Sequence, residues 1–156
     1  MTARPSHESR LEELGIVLPE VAPPLASYVP VALDGDRAFV SGQLPFANGE
    51  VMTGVLGDGC PEDRAIEAAR ACALMILSQL RRELGTLDRV RRIVKLGGFV
   101  AATPGFARHH VVLNGASDLM FDVFGEAGRH ARAAVGVSGL PLGAVVEVDA
   151  IVAVHG

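Results

Sequence analysis

The chain has 156 residues, enough for one ordinary domain whose single hydrophobic core buries roughly 68–70% of the unfolded surface. Fourteen Lys and Arg face 18 Asp and Glu, and there are six Phe, one Tyr and no Trp. A mildly negative field with few rings for stacking argues against nucleic acid as a partner.

Cys60 and Cys72 are too few for a disulfide framework and lack a second Cys or His pair at zinc-binding spacing. The first ten residues are polar and mixed in charge, with no apolar core, and do not read as a secretory signal. The longest unbroken apolar run, residues 71–77, is far shorter than the roughly 20 residues that cross a bilayer. A reducing cytoplasm and no membrane partner are therefore expected. Mean hydropathy is nonetheless +0.34 with 49% hydrophobic residues. Either the core is rich in Ala and Val, or apolar surface meets another subunit; we expect an oligomer.

In chain order, residues 10–15 (RLEELG) predict one or two helical turns closed by Gly15, and the Pro-rich VLPEVAPPLA ends them. Residues 28–33 and 37–41 are short β-like runs flanking Asp34-Gly35, which reads as a hairpin turn. A stretch punctuated by Gly and Pro follows, with one short strand near Val51. Residues 61–84 predict the clearest element, a helix with Pro61 at its first position, Glu62 and Asp63 at its positive end and Gly85 at its stop. Its inward stripe is Ala65, Ala69, Cys72, Ile76 and Leu80. A strand over 90–101, a helix over 106–124, and strands over 133–137 and 144–154 joined by a Gly-Leu-Pro-Leu-Gly turn complete the chain. The order implies an α+β fold, a mixed sheet with two helices on one face. The other sheet face then needs a partner subunit.

Arg132 opens the strand Ala133-Ala134-Val135-Gly136-Val137. A permanent charge beside so apolar a run suits bidentate capture of a carboxylate; the alternative is an Arg at a strand end paired with solvent or a structural acid. Glu147 alternates with Val in the last strand and shares a face with Asp149, as a working acid or as a structural or solvated one. A plain hairpin centred on Pro141 would pair Arg132 with Ala150, leaving Glu147 roughly 10 Å further along. An Arg132–Glu147 pair then needs irregular pairing or another chain. Ser41-Gly42-Gln43 ends a strand, where Gly permits close approach by a ligand, although turn chemistry accounts for the same residues. His109 and His110 diverge by about 100° on a helix and cannot share a metal. His130 would share the face of Arg132 if the strand reaches it, as a pocket residue or a surface one. Cys72 reads as core. Cys60 stands at a helix N-terminus, which lowers a thiol pKa, but has no recognisable base nearby.

The tail HARAAVGVSGLPLGAVVEVDAIV, residues 130–152, resembles the C-terminal signature of the RidA family, also called YjgF-type or endoribonuclease L-PSP proteins, with an Arg, a Leu-Pro and an acid in the final strand. Arg132, Leu140-Pro141 and Glu147 match it without a gap. Tyr28 and Ser41-Gly42-Gln43, thirteen residues apart, resemble the family's Tyr and Ser-Gly-Gln, and Lys95 with Phe99-Val100 resembles its central strand.

The resemblance implies a chorismate-mutase-like two-layer fold over one RidA-like domain, residues 1–156, with 1–27 as an N-terminal extension holding a short helix. It implies a homotrimer with ligand clefts between subunits. It implies hydrolysis of reactive enamines and imines, such as 2-aminoacrylate, to 2-keto acids and ammonia, with no metal or organic cofactor. Arg132 would bind the carboxylate of a small metabolite, Glu147 would orient or deprotonate water, and Tyr28, Ser41 and Gly42 would shape the cleft. Three positions depart from the pattern. Ala134 stands where well-known members have Cys, so a thiol role is lost. His130 stands where Pro or Ala is usual. The family's ligand-touching Asn falls nearest His110 by counting, with Asn114 the other candidate. Rival readings are a trimeric keto-acid-binding protein without catalysis and, less consistent with charge and composition, a ribonuclease.

Overall fold

A computed structural model describes residues 6–23 and 26–156. Helix α1, His7–Glu13, starts earlier than the Leu pattern suggests because Ser6 caps it, its side chain accepting from the Ser9 amide. The hairpin of β1 (Val31–Asp34) and β2 (Arg37–Gln43) turns at Gly35-Asp36, one residue later than expected, since Asp34 already pairs with Arg37. Gly35 supplies the positive φ, +61°, that the tight turn demands. Two short strands, β3 (Phe46–Ala47) and β4 (Glu50–Val51), form a separate ribbon.

Helix α2 spans Glu62–Leu84. Pro61 is its N-cap, with extended φ and ψ of −65° and 143°, rather than its first helical residue as expected. Gly85 ends the helix in the left-handed conformation. All five residues of the expected stripe are completely buried. Strand β5, Val90–Ala101, has the expected bounds, whereas α3 begins at His109, after a turn that closes from the Phe106 amide to the Thr103 carbonyl.

The last two strands, β6 (Ala131–Val137) and β7 (Val146–Val154), do not pair with each other. The sheet runs β1-β2-β7-β5-β6, and β5 separates them. The cause is α3: a crossover helix between β5 and β6 lets these two strands lie parallel. The segment after β6 then carries the chain past β5 to its other edge, where β7 pairs antiparallel. The hairpin count had nevertheless identified the right level, because Leu96 of β5 faces Arg132 on one side and Ala150 on the other.

Helices α2 and α3 pack on each other and on one face of the sheet, giving a single cluster of buried apolar side chains. Ala38 and Val40, Leu96 and Val100, and Val148, Ala150 and Val152 point into it. The opposite face carries Phe39, Phe99, Ala133, Val135 and Ile151 together with Ser41, Lys95, Glu147 and Asp149, and among the described residues no helix covers it. Among the described residues no helix is long and apolar enough to cross a membrane.

Helices α2 and α3 approach closely at Gly115, where the carbonyl oxygen of Ile66 on α2 occupies the place a Cβ would take. Ala at this position gains about 1 kcal/mol of helix propensity, but the obstacle is rigid backbone and overpacking costs about 1–3 kcal/mol or more. The steric cost wins. Gly115→Ala is expected to lower stability by about 2 kcal/mol in urea denaturation at fixed protein concentration.

Candidate functional site

The residues to which the resemblance gives a site role fall into two groups. The first is on the helix side of the sheet edge. Arg132 points from β6 toward α3, half-buried, and its Nη1 donates to Asn114 Oδ1 (2.9 Å) and Ser117 Oγ (3.1 Å) while Nη2 donates to the His110 carbonyl (3.2 Å). His110, Asn114 and Ser117 are spaced four and three residues apart, one polar stripe on a largely apolar helix. Counting left His110 and Asn114 as alternatives; both reach Arg132, His110 by its backbone and Asn114 by its side chain. Ala134 faces the same side two residues on, beside Gly98.

His130 stands just before β6 and reaches the same group through Ser117. Its Nε2 lies 2.8 Å from Ser117 Oγ and its Nδ1 lies 2.6 Å from the Gly128 carbonyl. Burial, reinforced by the nearby Arg132 charge, pushes the imidazole pKa below its ordinary value, although the Gly128 carbonyl opposes this. Ser117 is the member that sequence reasoning missed. The i, i+4, i+7 polar spacing of His110, Asn114 and Ser117 was the signal that could have found it.

The second group is on the open face. Ser41-Gly42-Gln43 forms an irregularity in β2, where the pairing with β7 shifts between Val40 and Gln43. Each letter of the motif has its own task. The Ser41 hydroxyl donates to the Val29 carbonyl (2.7 Å) and so tethers the segment that bears the exposed Tyr28. Gly42 leaves room for the Glu147 carboxyl group, which sits where a Cβ would be. The buried Gln43 donates to the Ser41 carbonyl (3.0 Å) and is in turn held by Gln79 of α2 (3.3 Å). Glu147 is half-buried, and its pKa is raised, first by burial and then by the like charge of Asp149. Asp149 itself lies over Gly97, while the adjacent Gly98 accommodates Leu113 on the opposite face.

The two groups do not meet within one protomer. Arg132 aligns with Leu96 and Glu147 with Phe99, on strands either side of β5. Two strand spacings and three residues separate their Cα atoms by roughly 14 Å, with the side chains on opposite faces.

Other candidates are disposed of by packing. Cys72 is fully buried, and desolvation raises its thiol pKa well above normal. Burial also raises that of Cys60, outweighing Arg64, so the helix terminus does not yield the lowered thiol pKa that its position suggested. His109 stacks edge-on against Phe106, 5.1 Å between centroids, over Gly136. Among the described residues no three His, Cys, Asp or Glu side chains converge as metal ligands.

Comparison with known proteins bears on this arrangement. Residues 8–153 match the family model described as "YjgF/chorismate mutase-like, putative endoribonuclease". Protein TCP17 of Trypanosoma cruzi is 52% identical over 146 residues, covering 92% of this chain and 91% of the relative. The crystal structure of Atu1372 from Agrobacterium tumefaciens, a protein described as of unknown function, superposes with a TM-score of 0.88 at 48% identity, covering 96% of this chain and 92% of that one. RidA from an Antarctic Psychrobacter is more distant, with a TM-score of 0.59 and 25% identity over 85% of this chain and 94% of that one. A match over nearly the whole length, together with close superposition on related structures, establishes that the chain belongs to the YjgF/chorismate-mutase-like family, among whose members are the RidA and L-PSP proteins.

Proposed function

We propose that this chain assembles as a homotrimer and hydrolyses reactive enamines and imines of the 2-aminoacrylate type to 2-keto acids and ammonia in clefts between subunits. The observation that carries the reading is the state of Arg132. Its half-buried guanidinium is oriented by three neutral acceptors, and among the described residues no Asp or Glu forms a salt bridge with it. A fixed cation whose charge is not compensated favours an organic anion. Three of its five N–H donors are occupied. The remaining two suffice for one bidentate carboxylate. Because Asn114 presents its oxygen to Arg132, its NH2 group is left to donate to the same ligand.

Glu147 supports the second half of the reading. A carboxylate of raised pKa is a better general base than an ordinary surface acid. In the proposed reaction the enamine tautomerises to its imine, and water adds to the imine carbon while Glu147 takes its proton. The imine nitrogen takes up a proton from solvent as water adds; the carbinolamine then collapses, the proton held by Glu147 passing to the nitrogen, which leaves as ammonia, while the hydroxyl gives up its proton to solvent and becomes the keto group. An imine conjugated to a carboxylate is already electrophilic, so holding it beside an oriented water supplies most of what is needed. Tyr28, Ser41 and Gly42 shape the Glu147 side of the cleft, and Ala134 and His130 border the Arg132 side. No cofactor enters this chemistry.

The trimer joins the two halves, since roughly 14 Å and the thickness of the sheet separate them in a single chain. It also covers the open face, where Phe39 is 42% and Val135 46% exposed. A trimeric keto-acid-binding protein without turnover is the rival; it needs only the Arg132 half, which one protomer already organises. Endoribonuclease action is less consistent with a net charge of −4 and scarce aromatic residues.

Light scattering is expected to give about 49 kDa, three times the 16.3 kDa of one chain, and Phe39→Glu is expected to shift it toward one chain. With an imine generated in situ by a pyridoxal-phosphate enzyme, Arg132→Ala is expected to lower keto-acid formation by about 100-fold or more while the trimer persists; unchanged turnover would refute the assignment. The wild-type rate should fall on acidification as Glu147 gains a proton, with an apparent pKa above the usual 4.5. Glu147→Gln should lose that acid limb together with most of the rate, and a limb that survives the substitution would assign the base elsewhere.

A further inference from the structure

From the hydrogen-bond chain Arg132–Ser117–His130–Gly128 we infer that Ser117 and His130 are positioning residues: a directional brace that fixes the Arg132 guanidinium for carboxylate capture. The inference rests on the reading of Arg132 as the anion anchor and goes beyond it by naming what holds that anchor.

The direction of every bond follows from the chemistry of the groups. The Gly128 carbonyl can only accept, so His130 Nδ1 carries a hydrogen and donates across 2.6 Å. In the neutral ring Nε2 is then a bare acceptor, and the Ser117 hydroxyl donates to it across 2.8 Å. With its hydrogen committed there, Ser117 Oγ turns a lone pair toward Arg132 Nη1, 3.1 Å away. A hydroxyl rotates freely; this one is fixed by the imidazole behind it. Both ring nitrogens of His130 are thereby used, which gives a half-buried imidazole a role that neither solvation nor the core supplies.

The brace also places a second potential charge beside the anchor. The charged groups around His130 are Arg132 on β6, Asp118 on α3 beside Ser117, Arg129 and Glu126 in the link before β6, and Arg92, which reaches that link from β5. Glu126 is engaged by Arg129 at 3.1 Å, and Arg92 donates to the Arg129 carbonyl at 2.7 Å. Protonated His130 would donate from Nε2 to Ser117 Oγ, which still has a lone pair for Arg132. A bound carboxylate relieves the repulsion between the two cations, so anion binding and proton uptake at His130 favour one another.

Pyruvate, binding to the intact chain, serves as the probe, followed by calorimetry between pH 5.5 and 8, values that bracket the ordinary imidazole pKa of about 6.5. Wild-type affinity is expected to rise several-fold on acidification, with net proton uptake. Ser117→Ala should weaken binding about tenfold at pH 7.5, as loss of a hydrogen bond to a charged group implies, and Ser117→Thr, which keeps the hydroxyl, should restore it to within about twofold. His130→Ala should abolish the rise at low pH; a purely structural histidine would lower the melting temperature and leave the pH profile intact. Binding that requires Arg132 yet is the same in Ser117→Ala and His130→Ala as in wild type overturns the brace and leaves the anchor standing. Absence of pyruvate binding in wild type instead removes the anchor, and nitrogen NMR of His130 then judges the brace: an Nδ1–H tautomer at neutral pH, lost in Ser117→Ala, upholds it, and an Nε2–H tautomer overturns it.

Discussion

The position of β5 between β6 and β7 governs the rest of this molecule. A parallel β5–β6 pair requires a crossover, α3 provides it, and the final strand must then take the other edge of β5. Arg132 and Glu147, close in sequence terms, are thereby carried to opposite sides of a central strand and to opposite faces of the sheet. An isolated protomer holds an organised cation in one place and a carboxyl group of raised pKa in another. Under the proposed reading, assembly is part of the chemistry rather than an accessory to it.

Local packing explains why each half is rigid. Around Arg132 all three acceptors come from one helix face, and one of them, Ser117, is held in turn by a histidine whose two nitrogens are both satisfied. Around Glu147 the supporting contacts are backbone irregularity, a missing Cβ and the two buried glutamines. Neither half relies on surface ion pairs. Among the described residues the one bidentate surface pair, Arg108 with Glu62, fastens the start of α3 to the start of α2, and exposed pairs of this kind contribute little to stability.

Much of the fold was legible because the signals were periodic or steric. The α2 stripe, the Gly85 stop and the bounds of β5 follow from apolar spacing and from glycine's access to positive φ. The β6–β7 connection was misread because Gly-Leu-Pro-Leu-Gly has the composition of a hairpin turn, and nothing local reveals that a strand from some forty residues upstream inserts between its arms. At the site, Arg132 and Glu147 stood out as charges in apolar strands. Ser117 did not, since its one signal is the polar spacing it shares with His110 and Asn114, which a solvated helix face would show as well. Gly115 and Gly42 were visible only as letters; what each makes room for is a matter of tertiary contact.

Two successive glycines in the middle of β5 have a consequence for how such a protein can diverge. Gly97 yields space on the open face to Asp149, and Gly98 yields it on the covered face to Leu113. The strand's own side chains therefore impose almost nothing on either surface at that level. Under the proposed reading, substitutions that remodel the ligand side can accumulate without disturbing the helix layer, and repacking beneath the helices can proceed without reshaping the cleft, so selection can tune recognition and foldedness as separate variables.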